Sequence, residues 1–233
     1  MSKKIKNSNS QLPLDLPMPA GYRREDLIES KANEMALAML DSWPDWPSRI
    51  SVLAGPIGSG KSHIAGVWAE KAQARTSSCK ELTKNLDEFI KLASIKGAFL
   101  LEDAGQGVID ETALFHLLNA VKQGEGYCLI TSRSWPITWN VKLADLASRL
   151  KAVQLFEISE PDDILLKQVM MKQFSDRQLS VDQKVIEYCI LRMERSLESV
   201  GRLVEAIDRE ALSNQAGITR TTASNALQCL GMK

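Results

Sequence analysis

The chain has 233 residues, with 29 Lys plus Arg against 29 Asp plus Glu, and is 25% charged and 44% hydrophobic. That is the make-up of a water-soluble globular protein, one domain or one domain with a smaller appended one. The zero balance argues against nucleic acid as the main partner, because counterion release draws on a surplus of cations, though it leaves room for a local patch.

Cys79, Cys128, Cys189 and Cys229 lie far apart and form no CxxC pair. Reduced thiols in a cytoplasmic protein are therefore the expectation, not a disulfide or metal framework. No apolar run approaches the roughly 20 residues that span a bilayer. Lys3, Lys4 and Lys6 are followed by polar residues and not by the apolar core of a signal peptide.

Residues 1–21 read as a flexible tail, with three prolines and one glycine within its last nine positions. A helical period runs from Arg24 to Leu40 and ends at Trp43-Pro44-Asp45-Trp46-Pro47. Ile50–Ala54 reads as a short strand, followed by a glycine-rich turn and a helix from Lys61 to Ala74. A weak strand near Ser77–Leu82 and a short helix over Asn85–Leu92 come next. Ala98–Leu101 is a buried-strand run, Asp110–Gln123 a helix, Tyr127–Thr131 a strand and Val153–Ile158 the last strand. Alternating strands and helices predict a parallel sheet flanked by helices. From Pro161 onward only helices are expected, over Asp162–Phe174, Ser180–Met193, Ser196–Ser213 and Thr219–Leu230. The organisation is thus an α/β unit over 22–159 and a small all-helical unit over 160–233.

Gly55-Pro56-Ile57-Gly58-Ser59-Gly60-Lys61-Ser62 satisfies GxxxxGK[ST] between a strand and a helix. Small residues let successive backbone N–H groups curl around an anion, and the helix N-terminus adds positive potential. With ADP or ATP as the ligand, Lys61 is placed to reach the β-phosphate and, in ATP, the γ-phosphate, and the Ser62 hydroxyl to bind Mg²⁺. Leu100-Leu101-Glu102-Asp103 supplies the acids. Their side chains alternate across a strand, so one is expected to hold Mg²⁺ through water, with Glu102 first in line, and the other to orient the attacking water. Trp43, Trp46, Trp135 and Trp139 read as braces for proline-rich connections, and Trp68 as core. His63 and His116 are the only histidines, and His63 is expected to pack within its helix.

The order of these motifs resembles the AAA+ ATPases of the DnaA and Hda kind over about residues 25–215. Gly60-Lys61-Ser62-His63 is similar to that family's phosphate loop, and Thr131-Ser132 to its sensor 1 region, with Ser132 as the polar sensor. Leu143–Leu150 resembles the segment bearing the family's arginine finger, which puts Arg149 in the position that acts in trans on a neighbour. The resemblance implies an AAA+ fold with a helical lid over 160–233 and without the DNA-binding domain that follows in DnaA. Gln11-Leu12-Pro13-Leu14-Asp15-Leu16 resembles the QLxLxL peptides that dock on the DNA polymerase III sliding clamp. Gln11 would bring hydrogen bonds, and Leu12, Leu14 and Leu16 apolar anchors.

Two departures from the family matter. Glu102 stands where it usually has Asp, and Glu198 where its sensor 2 arginine touches the phosphates. Arg195 and Arg202 flank Glu198 on one helix face and are candidate substitutes. The expectation is a weak or partner-dependent ATPase that regulates replication initiation by acting on DnaA and the clamp. No direct sequence-specific DNA binding and no membrane association are expected, and self-association stays open. The alternative is a self-sufficient P-loop ATPase or kinase independent of both partners.

Overall fold

The computed structural model describes residues 22–105, 107, 109–214 and 217–232. The clamp-peptide expectation on Gln11, Leu12, Leu14 and Leu16 therefore lies outside the described residues. The elements are α1 (Glu34–Ser42), β1 (Ile50–Ala54), α2 (Lys61–Ala72), β2 (Arg75–Ser78), α3 (Leu82–Ser94), β3 (Ala98–Ala104), α4 (Glu111–Gln123), β4 (Tyr127–Ser132), α5 (Ala144–Lys151) and β5 (Gln154–Glu157). Four helices follow: α6 (Asp163–Asp176), α7 (Gln183–Ile190), α8 (Leu197–Ser213) and α9 (Arg220–Cys229).

The five strands pair in the order β2-β3-β4-β1-β5, and every described pairing is parallel. A parallel sheet needs both faces covered, so its strands are apolar throughout. Phe99, Leu101, Cys128 and Ile130 pack with Phe89 of α3, Leu117 of α4 and Leu146 of α5. Leu53, Leu100 and Leu129 point the other way, toward Leu40 of α1 and Ile64 and Trp68 of α2. Trp46 stacks on Trp68 at 5.3 Å and donates its indole N–H to the Met39 carbonyl, so these two tryptophans close the α1–α2 side. The C-terminal helices bury a separate cluster that includes Met170, Phe174, Ile186, Leu203, Val204 and Leu227.

Helix starts follow side-chain capping. Asp110, Asp162, Asp182, Ser196 and Thr219 each accept a backbone N–H at the start of α4, α6, α7, α8 and α9. The first expected helix is shorter than its period. The Asn33 side chain accepts from the Ser30 amide and donates to the Ile28 carbonyl, each at 2.8 Å, and this local competition delays α1 to Glu34. Helix α5 was not among the expected elements, since only Leu146 and Leu150 of its eight residues are buried. Among the described residues no helix is long and apolar enough to cross a membrane.

Phe174 lies at the centre of the C-terminal cluster with 1% of its surface exposed. Phe174→Ala should cost about 3–5 kcal/mol by leaving a cavity there, read as a lowered urea midpoint for the C-terminal helices.

Candidate functional site

The turn between β1 and α2 sits at the C-terminal edge of the sheet. Gly58 and Gly60 adopt left-handed conformations, with φ of +70° and +95°. Such residues in a short turn bring consecutive N–H groups onto one concave side. Helix α2 starts from Gly60 without a side-chain cap, in contrast to the five capped helices above. Its first amides and the buried Ser59 hydroxyl, which has no partner among the described residues, fit an anion. Lys61 is buried at the same place and donates to the Pro56 carbonyl. Desolvation holds its ammonium below the usual lysine range; Arg133 pushes the same way and Asp103 opposes.

Strand β3 runs through both acids before it breaks register. Leu101 pairs with Ile130 but Ala104 with Ser132, so one extra residue is accommodated as a bulge. Asp103 takes it up at φ +58°, its amide donating to the Thr131 hydroxyl at 3.2 Å. The simple alternation expected of these two acids is thereby lost. Asp103 comes within electrostatic reach of Lys61, while Glu102 is half-buried. Burial, and then the like charge of Asp103, raise the Glu102 carboxyl above its ordinary range. Among the described residues no group of three or more His, Cys, Asp or Glu is set to hold a metal. A Mg²⁺ ion here would rest on Ser62, a carboxylate, water and the phosphates themselves, in keeping with the ion's preference for few protein ligands.

The Ser132 hydroxyl is engaged in its own turn. It lies 2.9 Å from the Ala104 carbonyl and 2.7 Å from that of Ser134, and it accepts from the Ser134 amide and the Trp139 indole. The side chain beyond this strand end whose charge reaches Lys61 is Arg133, which sequence reasoning passed over. His63 packs edge-on to Tyr22 at 5.5 Å, and burial lowers its pKa. Tyr22 also went unremarked in the sequence; a methyl on Gly66 of α2 would fall 2.6 Å from its ring.

The C-terminal helices reach the loop directly. The Leu197 amide donates to the Gly58 carbonyl at 2.7 Å, and a methyl on Gly58 would fall 2.5 Å from Ser196 Cβ and 3.6 Å from Glu198 Cβ. An acid at the start of α8 therefore stands beside the loop. Arg195 pairs with Asp163 at 3.0 Å, and Arg202 is exposed on α8. A second tie joins Asp26 to Lys172 of α6 at 2.8 Å. Arg149 is elsewhere: on α5 its guanidinium stacks over Phe115 at 5.1 Å, beside Arg49 and Ile50 at the opposite end of β1 from the loop.

No family model matches the chain. An uncharacterised protein of Haemophilus influenzae is 24% identical over 219 residues, which cover 88% of this chain and 94% of that protein. Domain III of the Thermotoga maritima replication initiation protein DnaA superposes with a TM-score of 0.75 at 17% identity, covering 92% of this chain and 98% of that one. AMPPCP-bound DnaA from Aquifex aeolicus gives 0.70 at 19% identity, over 83% and 67% of the two chains. A variant of Thermotoga maritima RuvB gives 0.71 at 14%, over 88% and 70%. The chain has an AAA+ P-loop fold related to that of the DnaA domain.

Gly58→Ala combines a disfavoured left-handed conformation with a clash against Ser196. Amide hydrogen exchange should speed up at Leu197 by about tenfold, with little change at Leu203.

Proposed function

We propose that the chain is an adenine-nucleotide-binding regulator of replication initiation that stimulates ATP hydrolysis by DnaA. The position of Arg149 carries this reading. It lies at the other end of β1, one strand length or roughly 17 Å from the chain's own phosphate loop, with its guanidinium over Phe115. A cation so far from the chain's own loop does not reach phosphates held there, and in this reading it serves phosphates presented by another subunit. There it would stabilise charge on the transferring phosphoryl group, an effect worth roughly 10³–10⁵ in rate in comparable systems.

The chain's own loop is read as the holder of ADP or ATP with Mg²⁺, which supplies charge neutralisation when bound. Loop amides and Lys61 would bind the phosphates, and Ser62 and Glu102 would hold the ion's water shell, with Asp103 and Arg133 setting the charge around Lys61. Glu198 beside the loop disfavours fast turnover, because it repels a γ-phosphate unless a cation intervenes. Similarity in fold to AMPPCP-bound DnaA supports the choice of an adenine nucleotide. The tail peptide Gln11–Leu16 is proposed to dock on the sliding clamp, so that DNA is reached through another protein.

Arg149→Ala should abolish stimulated hydrolysis by ATP-loaded DnaA and leave clamp binding intact. Rapid turnover by the isolated chain, unaffected by Arg149→Ala, would instead identify a self-sufficient ATPase. In a pull-down on the clamp, the Gln11, Leu14 and Leu16 triple Ala variant should lose retention while keeping its nucleotide. Equal retention of the two chains would remove the tail from the proposal.

A further inference from the structure

At the N-terminal edge of the sheet, where β1 begins and α4 and α5 end, lies a partly open cavity of about 260 Å³. Arg49, Lys122 and Arg149 line it, and among the described residues no carboxylate does. Cations at the C-termini of α4 and α5 complement those helix dipoles, which accounts for one on each helix. It does not account for Arg49, which belongs to neither helix, or for the convergence of all three.

The two guanidiniums are held without being neutralised. Arg149 stacks on Phe115 at 5.1 Å and Arg49 on Tyr127 at 5.3 Å, contacts that orient a planar cation and leave its edge donors available. Arg49 donates to the Glu125 carbonyl, yet the Glu125 carboxylate is taken by Lys96 at 2.8 Å. None of the three cations has an ion pair among the described residues. Three cationic residues line this cavity and no carboxylate lines it among the described residues, so the local potential is positive and favours an anion seated there.

We propose that this cavity binds a phosphate group, with Arg49 and Lys122 acting beside Arg149. Its volume falls below that of pockets enclosing a drug-sized ligand, so it suits a phosphate or diphosphate moiety and leaves the remainder of a larger ligand outside. The phosphate comes either from a nucleotide held by a second AAA+ subunit or from a free phosphorylated molecule. The first source rests on the trans role of Arg149 given above; the cavity's affinity for phosphate does not.

The probe is inorganic pyrophosphate, titrated calorimetrically into the full chain carrying Lys61→Ala, which silences the phosphate loop. One equivalent should bind, more weakly as salt is raised. Arg49→Ala, Lys122→Ala or Arg149→Ala should each weaken it by about tenfold, and Lys122→Arg should restore it. No binding by the Lys61→Ala chain, or equal affinity across the alanine variants, would overturn the proposal. A second arm measures stimulated hydrolysis by an ATP-loaded partner. Reduced stimulation by Arg49→Ala and Lys122→Ala assigns the phosphate to the partner's nucleotide, and unchanged stimulation alongside lost pyrophosphate binding assigns it to a free ligand. Full stimulation by Arg149→Ala would sink the trans-acting role alone and leave the pyrophosphate result standing.

Discussion

A buried lysine beneath an uncapped helix start is the constraint around which the molecule is arranged. Lys61 loses hydration on burial, and α2 offers its first amides without a side chain to receive them. Both features are unfavourable in isolation, and both are relieved by an anion in the turn. The sheet order follows the same need. With β1 between β4 and β5, the turn emerges beside the ends of β4 and β3, where Arg133, Asp103 and Glu102 can set its charge. The bulge in β3 costs one regular ladder position and brings Asp103 into range of the lysine.

The junction with the C-terminal helices depends on that turn. A hydrogen bond from Leu197 to Gly58 uses a backbone carbonyl of the loop itself, so the start of α8 responds to the loop's conformation. The Asp26–Lys172 pair is about a third exposed at both ends and contributes little by itself. Coupling between the two halves therefore runs mainly through Gly58, Ser196 and Leu197, a contact with no room for a methyl group. In the proposed reading, Glu198 at this contact would separate nucleotide binding from fast chemistry, since an acid there would not assist the departing charge.

The strands and the loop were legible because their signals are local. A strand buried on both faces must be a continuous apolar run, as Ala98–Leu101 is, and a phosphate turn must place glycines and a lysine at fixed spacing. What escaped depended on contacts distant in sequence. Helix α5 spans only eight residues and buries only Leu146 and Leu150, so the stripe of Leu143, Leu146, Ala147 and Leu150 covers barely two turns and does not stand out in the sequence. The bulge at Asp103 has no compositional signature, because its left-handed conformation answers to the register of β4. Ser132 reads as a sensor by position, but Ala104, Ser134 and Trp139 surround its hydroxyl, and their meeting is visible only in three dimensions. The role of Arg133 follows from the same turn.

Overall neutrality conceals two cation-bearing sites at opposite edges of one sheet. At the C-terminal edge the cations lie among carboxylates, an arrangement that would suit a phosphate accompanied by a metal; at the N-terminal edge the cavity lined by Arg49, Lys122 and Arg149 has no carboxylate among the described residues. The second arrangement suits a phosphate whose counter-ion is supplied elsewhere, as it is for a nucleotide already seated with Mg²⁺ in a neighbouring subunit. A balanced sequence can sustain both because Coulomb attraction at a partly desolvated pocket depends on charges within a few ångströms, and distant surface charges are screened. Net charge therefore bears on whether the chain coats nucleic acid, and the placement of three side chains on whether it can reach across an interface.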